Sequence, residues 1–228
     1  MIGLLASLIA GFRPTQMPPN MVTMEMVFLR KVPGKNPLTK NLAAVYQKQH
    51  LDGLMRLWED GKAVAVGPME DKTYAGLVLL NTKDPNEAKE WLKDDPYVKS
   101  GYLTLDILPW AFENHFHHAP KFLDVERFWF GILERPKNAP QYSAAKGNEL
   151  QAGHLANITK MANNGLLAMA GPFLVDERRR GLLIFFAKDI NQIKRAVAAD
   201  PLIRAKRLEL KLIPWWTGKG TIVQYKPK

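Results

Sequence analysis

HLDGLMRLWEDGKAVAVGP occupies residues 50–68, and HLANITKMANNGLLAMAGP occupies residues 154–172. A stretch written twice at a long period means two copies of one fold, so the spacing has to be followed along the chain. His50 and His154 are 104 residues apart, as are Gly61 and Gly165, and Gly67-Pro68 and Gly171-Pro172. Beyond the Gly-Pro pairs the offset is 105: Gly76 to Gly181, Asp95-Pro96 to Asp200-Pro201, Pro109-Trp110 to Pro214-Trp215. Upstream, Pro33 matches Pro136 at 103. The offset changes only where loops are expected, as a duplicated fold requires.

Each copy predicts the same elements. Met24 to Val32 is β-rich and stopped by Pro33-Gly34. Leu51, Leu54, Met55 and Trp58 fall at helical spacing within a predicted helix from Lys40 to Asp60. Gly61 follows as its C′ residue. Strands are predicted over Lys62 to Val66 and Gly76 to Thr82. Asp84-Pro85-Asn86-Glu87 then opens a helix to Lys93, with Asp as N-cap, Pro at N1 and Glu at N3. A strand from Tyr102 to Leu108 ends the copy. The second copy predicts strand Arg127 to Glu134, helix Ser143 to Asn164, strands Leu166 to Ala170 and Leu182 to Ala187, helix Ile190 to Ala198, and strand Arg207 to Ile213.

The order βαββαβ, twice, is the ferredoxin-like split βαβ. The fold class is therefore α+β. A four-stranded sheet with both helices on one side leaves its other face bare, and that face must be covered. The two copies are expected to pack sheet to sheet as an intrachain dimeric α+β barrel. The expected divisions are an apolar N-terminal segment (1–22), repeat one (23–111), a linker (112–122), repeat two (123–217) and a basic tail (218–228).

Composition narrows the chemistry. The chain has no cysteine, which removes disulfides, thiolate nucleophiles and cysteine-based zinc sites. Its net charge is +10, which suits an anionic partner or simply a soluble surface. The densest basic run, Arg178-Arg179-Arg180, reads as a solvated hairpin tip. Gly3 to Phe12 is apolar and uncharged, too short to span a bilayer yet as long as a signal-peptide core. No Lys or Arg precedes it, so an export signal and a tail that packs or frays stay equally open, and with them the localisation.

Five histidines are present. His50 and His154 border the inward face of the first helix of each copy. His115, His117 and His118 lie in the linker without a spaced carboxylate, so no metal site is expected there. Asp95 and Asp200 each precede a proline after the second helix. Each either caps a turn or pairs with the histidine of its own copy, fixing its tautomer for acid/base work. Pro68, Pro172, Trp110 and Trp215 either line pockets or serve as turn and core residues.

The stretch GPMEDKTYAGLVLLNTKDPNEAKEWLKDDPYVKSGYLTLDILPW, with His50-Leu51 upstream, closely resembles the YCII-related family of the dimeric α+β barrel superfamily. The landmarks are Gly67-Pro68, Gly76, Asp95-Pro96-Tyr97, Gly101 and Pro109-Trp110. The second copy keeps His154-Leu155, Gly171-Pro172-Phe173, Gly181, Asp200-Pro201 and Pro214-Trp215, and departs at Leu202 and at Ala205-Lys206. The resemblance implies an active site of His and Asp: His50 with Asp95, and His154 with Asp200. One characterised type in the family removes chloride from a chlorinated hydroxyhydroquinone, and related barrels isomerise lactones. It thus implies cofactor-free proton transfer, of lyase or isomerase type, on a small aromatic or enolisable substrate.

The alternatives are a non-catalytic ligand-binding or structural barrel, and a haem-binding barrel with His154 as the iron ligand. RNA-binding domains share the βαββαβ order, but Gly76 to Thr82 lacks the aromatics that stack on bases. The expected partners are a small molecule and a second copy of the chain, with no nucleic acid and no membrane for the folded domains.

Overall fold

The computed structural model describes residues 21–187 and 189–223. The apolar stretch Gly3 to Phe12 and the end of the basic tail lie outside the described residues. The first half runs β1 (Met21–Lys31), α1 (Lys40–Glu59), β2 (Ala63–Pro68), β3 (Tyr74–Leu80), α2 (Pro85–Leu92), α3 (Pro96–Lys99) and β4 (Leu103–Glu113). The second runs β5 (Val125–Glu134), α4 (Ala144–Asn163), β6 (Leu167–Pro172), β7 (Arg179–Phe185), α5 (Ile190–Ala198), α6 (Pro201–Arg204) and β8 (Glu209–Gly218). Each half forms a four-stranded antiparallel sheet, ordered β2-β3-β1-β4 and β6-β7-β5-β8.

Strand alternation sorts the side chains into three cores. Met24, Met26 and Phe28 of β1 face Phe128, Phe130 and Ile132 of β5 in a central core, which Trp110 and Trp215 complete. Val27 and Leu29 point the other way and pack with Leu54 of α1 and Ala88 and Leu92 of α2. Leu133, Ile158, Leu183 and Ile193 do the same in the second half. β1 is thus covered on both faces, which is why Met24 to Leu29 are all buried. The architecture is α+β, two sheets face to face with helices outside.

The sheets also close on each other at their edges. Glu70 N–H donates to Pro214 C=O (2.9 Å) and Thr217 Oγ1 to Val66 C=O (3.0 Å), tying β2 to β8. Leu174 N–H donates to Pro109 C=O (3.0 Å) on the opposite seam, beside a bridge between Trp110 and Phe173. Open strand edges are thereby removed. The paired Gly-Pro motifs sit at these seams. A Cβ on Gly67 would lie 1.6 Å from the Trp216 carbonyl oxygen, and one on Gly171 2.0 Å from that of Ala111. Glycine is required because a backbone from the other half passes there.

Several boundaries differ from those expected. β2 and β6 continue through Gly-Pro, and β4 and β8 through Pro-Trp. These four are the outer strands of their sheets, where a proline's missing N–H costs no ladder bond. α3 and α6 were not anticipated: each is a single turn opened by an Asp-Pro pair. The arginine run is not simply a solvated tip, because Arg179 is held by Asp106 and Asp176. The linker histidines are partly engaged too: His118 stacks on Trp58 of α1 at 4.1 Å.

Candidate functional site

Thr39 starts α1 by accepting the Leu42 N–H, and the helix carries Gln47, His50 and Leu54 along the side that meets the sheet. Asp95 caps α3, its Oδ1 accepting the backbone N–H groups of Tyr97 (3.0 Å) and Val98 (3.3 Å). Its other oxygen, Oδ2, accepts from His50 Nδ1. One carboxylate therefore both caps a helix and holds an imidazole. With Nδ1 as donor, Nε2 carries the lone pair of the neutral ring, and no described residue bonds it. The Tyr97 ring lies 5.5 Å from the imidazole, nearly perpendicular to it. Burial, and next the Asp95 charge, raise the Tyr97 phenol above its usual range.

His50 lines a cavity of about 610 Å³. Leu54, Pro68, Tyr97, Tyr102 and Phe122 give it apolar and aromatic walls, and Lys31 and Lys35 are its charged residues beside His50. Phe122, Leu123 and Val125, where the two halves join, cover one side. The volume falls within the range of about 300–1,000 Å³ typical of small-molecule sites.

The second half has the same pair in a closed setting. His154 Nδ1 lies 2.6 Å from Asp200 Oδ2, and Asp200 Oδ1 accepts the Leu202 N–H (2.9 Å). The His154 ring is fully buried, and its Nε2 has no partner among the described residues. Gln151 Nε2, one turn away, is likewise buried and unpaired. Gly153 explains the closure: a Cβ there would meet Pro201 Cγ at 2.7 Å, so α4 lies against α6. Gln49 holds the corresponding position in α1. A second groove, of about 990 Å³, runs past Pro140, Val197, Lys206 and Leu208 and does not include His154.

The structure thus brings His50 to Asp95 and His154 to Asp200, and sets Pro68 in the cavity wall. Trp110 and Trp215 are fully enclosed between the sheets, and Pro172 is buried at the second seam. Lys35, Tyr102 and Phe122 line the cavity without having been singled out from sequence. The linker position of Phe122 carried no helical or strand periodicity that would have revealed it. Among the described residues no cluster of His, Cys, Asp and Glu could hold a metal ion, and no helix is long and apolar enough to cross a membrane.

Residues 24–111 match the model of the YCII-related domain. No curated protein matches the sequence. Among solved structures, a haem-binding protein from Thermus thermophilus superposes with a TM-score of 0.52 at 13% identity, covering 89% of this chain and 95% of that one. A mutant chlorite dismutase from Candidatus Nitrospira defluvii superposes at 0.55 with 8% identity, covering 88% and 92%. At such identities the likeness concerns the fold. Over residues 24–111 the chain is similar to the YCII-related domain, and its two face-to-face four-stranded sheets have the α+β barrel fold of these structures.

Proposed function

We propose that the protein is a small-molecule acid/base catalyst of lyase or isomerase type, acting in the first-half cavity. One observation carries this: His50 has Nδ1 committed to Asp95 and lines a cavity. In this reading Nε2 takes a proton from an acidic C–H of the substrate and returns it to another atom of the same molecule. Asp95 is the positioning residue: its carboxylate holds the tautomer and stabilises the imidazolium that forms. Pro68 and the aromatic residues of the wall give the substrate apolar contact. Residues 123–217 are a second copy of the domain whose His154–Asp200 pair serves the fold, since its ring is enclosed.

Haem at His154 finds no support in this geometry. Iron ligation would use Nε2, and that atom is sealed inside the second half with neither cavity beside it. The residues there do not fit the group without opening the α4–α6 contact.

The test is solvent deuterium incorporation. Small lactones, β-keto acids and hydroxylated aromatics are incubated in D₂O with the protein and followed by NMR. Accelerated exchange of one of them, lost in His50→Gln at an unchanged melting temperature, is the expected result. Absence of exchange, with a lowered melting temperature in His50→Gln, would make the barrel a structural or binding protein. A Soret band on adding hemin would revive the haem reading.

A further inference from the structure

We propose that the first-half cavity selects small organic anions, with a planar apolar body against its aromatic walls and the negative group held by Lys35. This rests on the acid/base reading for what happens next, but not for binding.

The lining contains two lysines, His50 and no carboxylate. Asp95, directly behind His50, is already spent on two backbone N–H groups and Nδ1. An anion entering the cavity therefore meets positive charge in front and an occupied carboxylate behind. Lys31 is tied to the backbone of the β2–β3 loop, its Nζ donating to Asp71 C=O at 2.8 Å. Lys35 is held loosely. Its Nζ lies 3.3 Å from Ser100 C=O and 5.5 Å from the Tyr102 ring centroid. Both contacts are weak and exposed, so the ammonium is free to exchange them for an anion.

The backbone makes room for this lysine. Gly101, at the end of α3, has φ +72°, and a Cβ there would sit 3.1 Å from Lys35 Nζ. The second half is built the other way round. Its corresponding residue is Lys206, at φ +54° and so carrying a side chain in the left-handed region. Between the matched prolines Pro33/Pro136 and Pro37/Pro140, the position of Lys35 is held by Asn138. Tyr97 and Tyr102 correspond to Leu202 and Arg207. The half with the open histidine thus has the lysine on the loop, the glycine beneath it and two tyrosines nearby. The half with the sealed histidine has none of these at the matching positions. The charge, the space and the aromatic wall vary together, which marks them as parts of one binding site.

Size and shape point to a ring-sized monoanion, a carboxylate or phenolate. Leu29, Leu54 and Phe122 offer its body apolar contact. The chain's net charge of +10 adds a long-range pull on such a molecule.

The experiment compares benzoate with its neutral isostere benzamide, by calorimetry and by the shift of the His50 ring signal in NMR. The proteins are the full-length chain, Lys35→Met, Lys35→Arg and His50→Gln. The expected result is that benzoate binds the unaltered chain at least about tenfold more tightly than benzamide, weakening as salt is added. Lys35→Met should bring the two within about twofold, and Lys35→Arg should keep the preference. Equal binding of the two probes, an undiminished preference in Lys35→Met, or no benzoate binding up to about 50 mM would each overturn the inference. The two proposals fail separately. A benzoate preference that survives in His50→Gln, without any deuterium exchange by the unaltered chain, removes the base and leaves the anion site. Exchange that depends on His50, without anion preference, does the reverse.

Discussion

Arg179 at the start of β7 grips Asp106 of β4 with both ends of its guanidinium, Nη1 at 2.6 Å from Oδ2 and Nη2 at 2.9 Å from Oδ1. Asp176 holds Nε at 2.6 Å, and Phe28 lies beneath the guanidinium at 5.6 Å. The grip joins the two halves. On the other seam Lys211 pairs with Asp71 at 2.7 Å above Tyr74. Asp106 and Lys211 hold equivalent strand positions with opposite charges, so each seam is matched only by the half it actually meets.

Removing Asp106 should therefore destabilise more than removing Lys211. Asp106→Ala strips the bidentate partner from a largely enclosed guanidinium, and Asp176 makes good part of the loss. We expect a cost of about 1–3 kcal/mol by urea denaturation. Lys211 is more exposed, and Lys211→Met should cost less than about 1 kcal/mol. Equal costs would mean that the bidentate pair contributes nothing special.

Glu25 sets a pH dependence. It is 1% exposed, on the helix side of β1, and its Oε2 has no partner among the described residues. Burial, then the neighbouring charge of Asp84, push its pKa up to about 7. The folded chain therefore binds a proton that the unfolded chain has released between about pH 4.5 and 7. Stability falls as pH rises through that window. The full shift corresponds to about 3 kcal/mol at pH 8. Glu25→Gln should remove this loss, raising the melting temperature at pH 8 relative to the unaltered chain and changing it little at pH 4.5. A substitution effect independent of pH would show that Glu25 is not the titrating group.

The glycines give a graded test of the seams. Gly67→Ala and Gly171→Ala drive a methyl into a carbonyl of the opposite half. Each should cost more than about 3 kcal/mol or abolish soluble expression. Gly147, inside α4 with nothing within 4 Å, is the control. Gly147→Ala should stabilise by about 0.5–1 kcal/mol. Tolerance at Gly67 would mean that the β2–β8 seam is looser than described.

The two histidines should respond differently to the same change. His154→Ala leaves a buried carboxylate without its donor and opens a hole in a sealed region, a loss of about 2–4 kcal/mol. His50→Ala, beside an open cavity that admits water, should cost about 1 kcal/mol or less. Thermal melts of the pair decide it, and equal losses would count against the open and closed settings described.

Much of the fold was legible because its signals are local. Asp84-Pro85 and the Leu51–Leu54–Trp58 spacing dictate helices by capping and periodicity alone. The offset, which changes only at loops, made the two sheets expected, since a bare face needs a cover. His50 and Asp95 could be associated because His50 borders the inward face of the first helix and Asp95 follows the second helix of the same βαββαβ unit. What escaped was non-local. That β4 continues past Pro109 depends on a neighbour from the other half. The sealing of His154 depends on Gly153 meeting Pro201, 48 residues later in the chain. Lys35 enters the cavity from an irregular loop, where no periodicity exists to mark it.

Phe122, Leu123 and Val125 form part of the cavity wall and also lie where one half passes into the other. In a pair of separate identical subunits no such strap exists, and both sites would have to be alike. Fusion breaks that equivalence. A single covalent crossing can roof only one of the two sites, so the two histidines need not sit in like surroundings. The difference between the two histidine settings thus has two sources, the connecting chain over the first-half cavity and the Gly153–Pro201 contact in the second half.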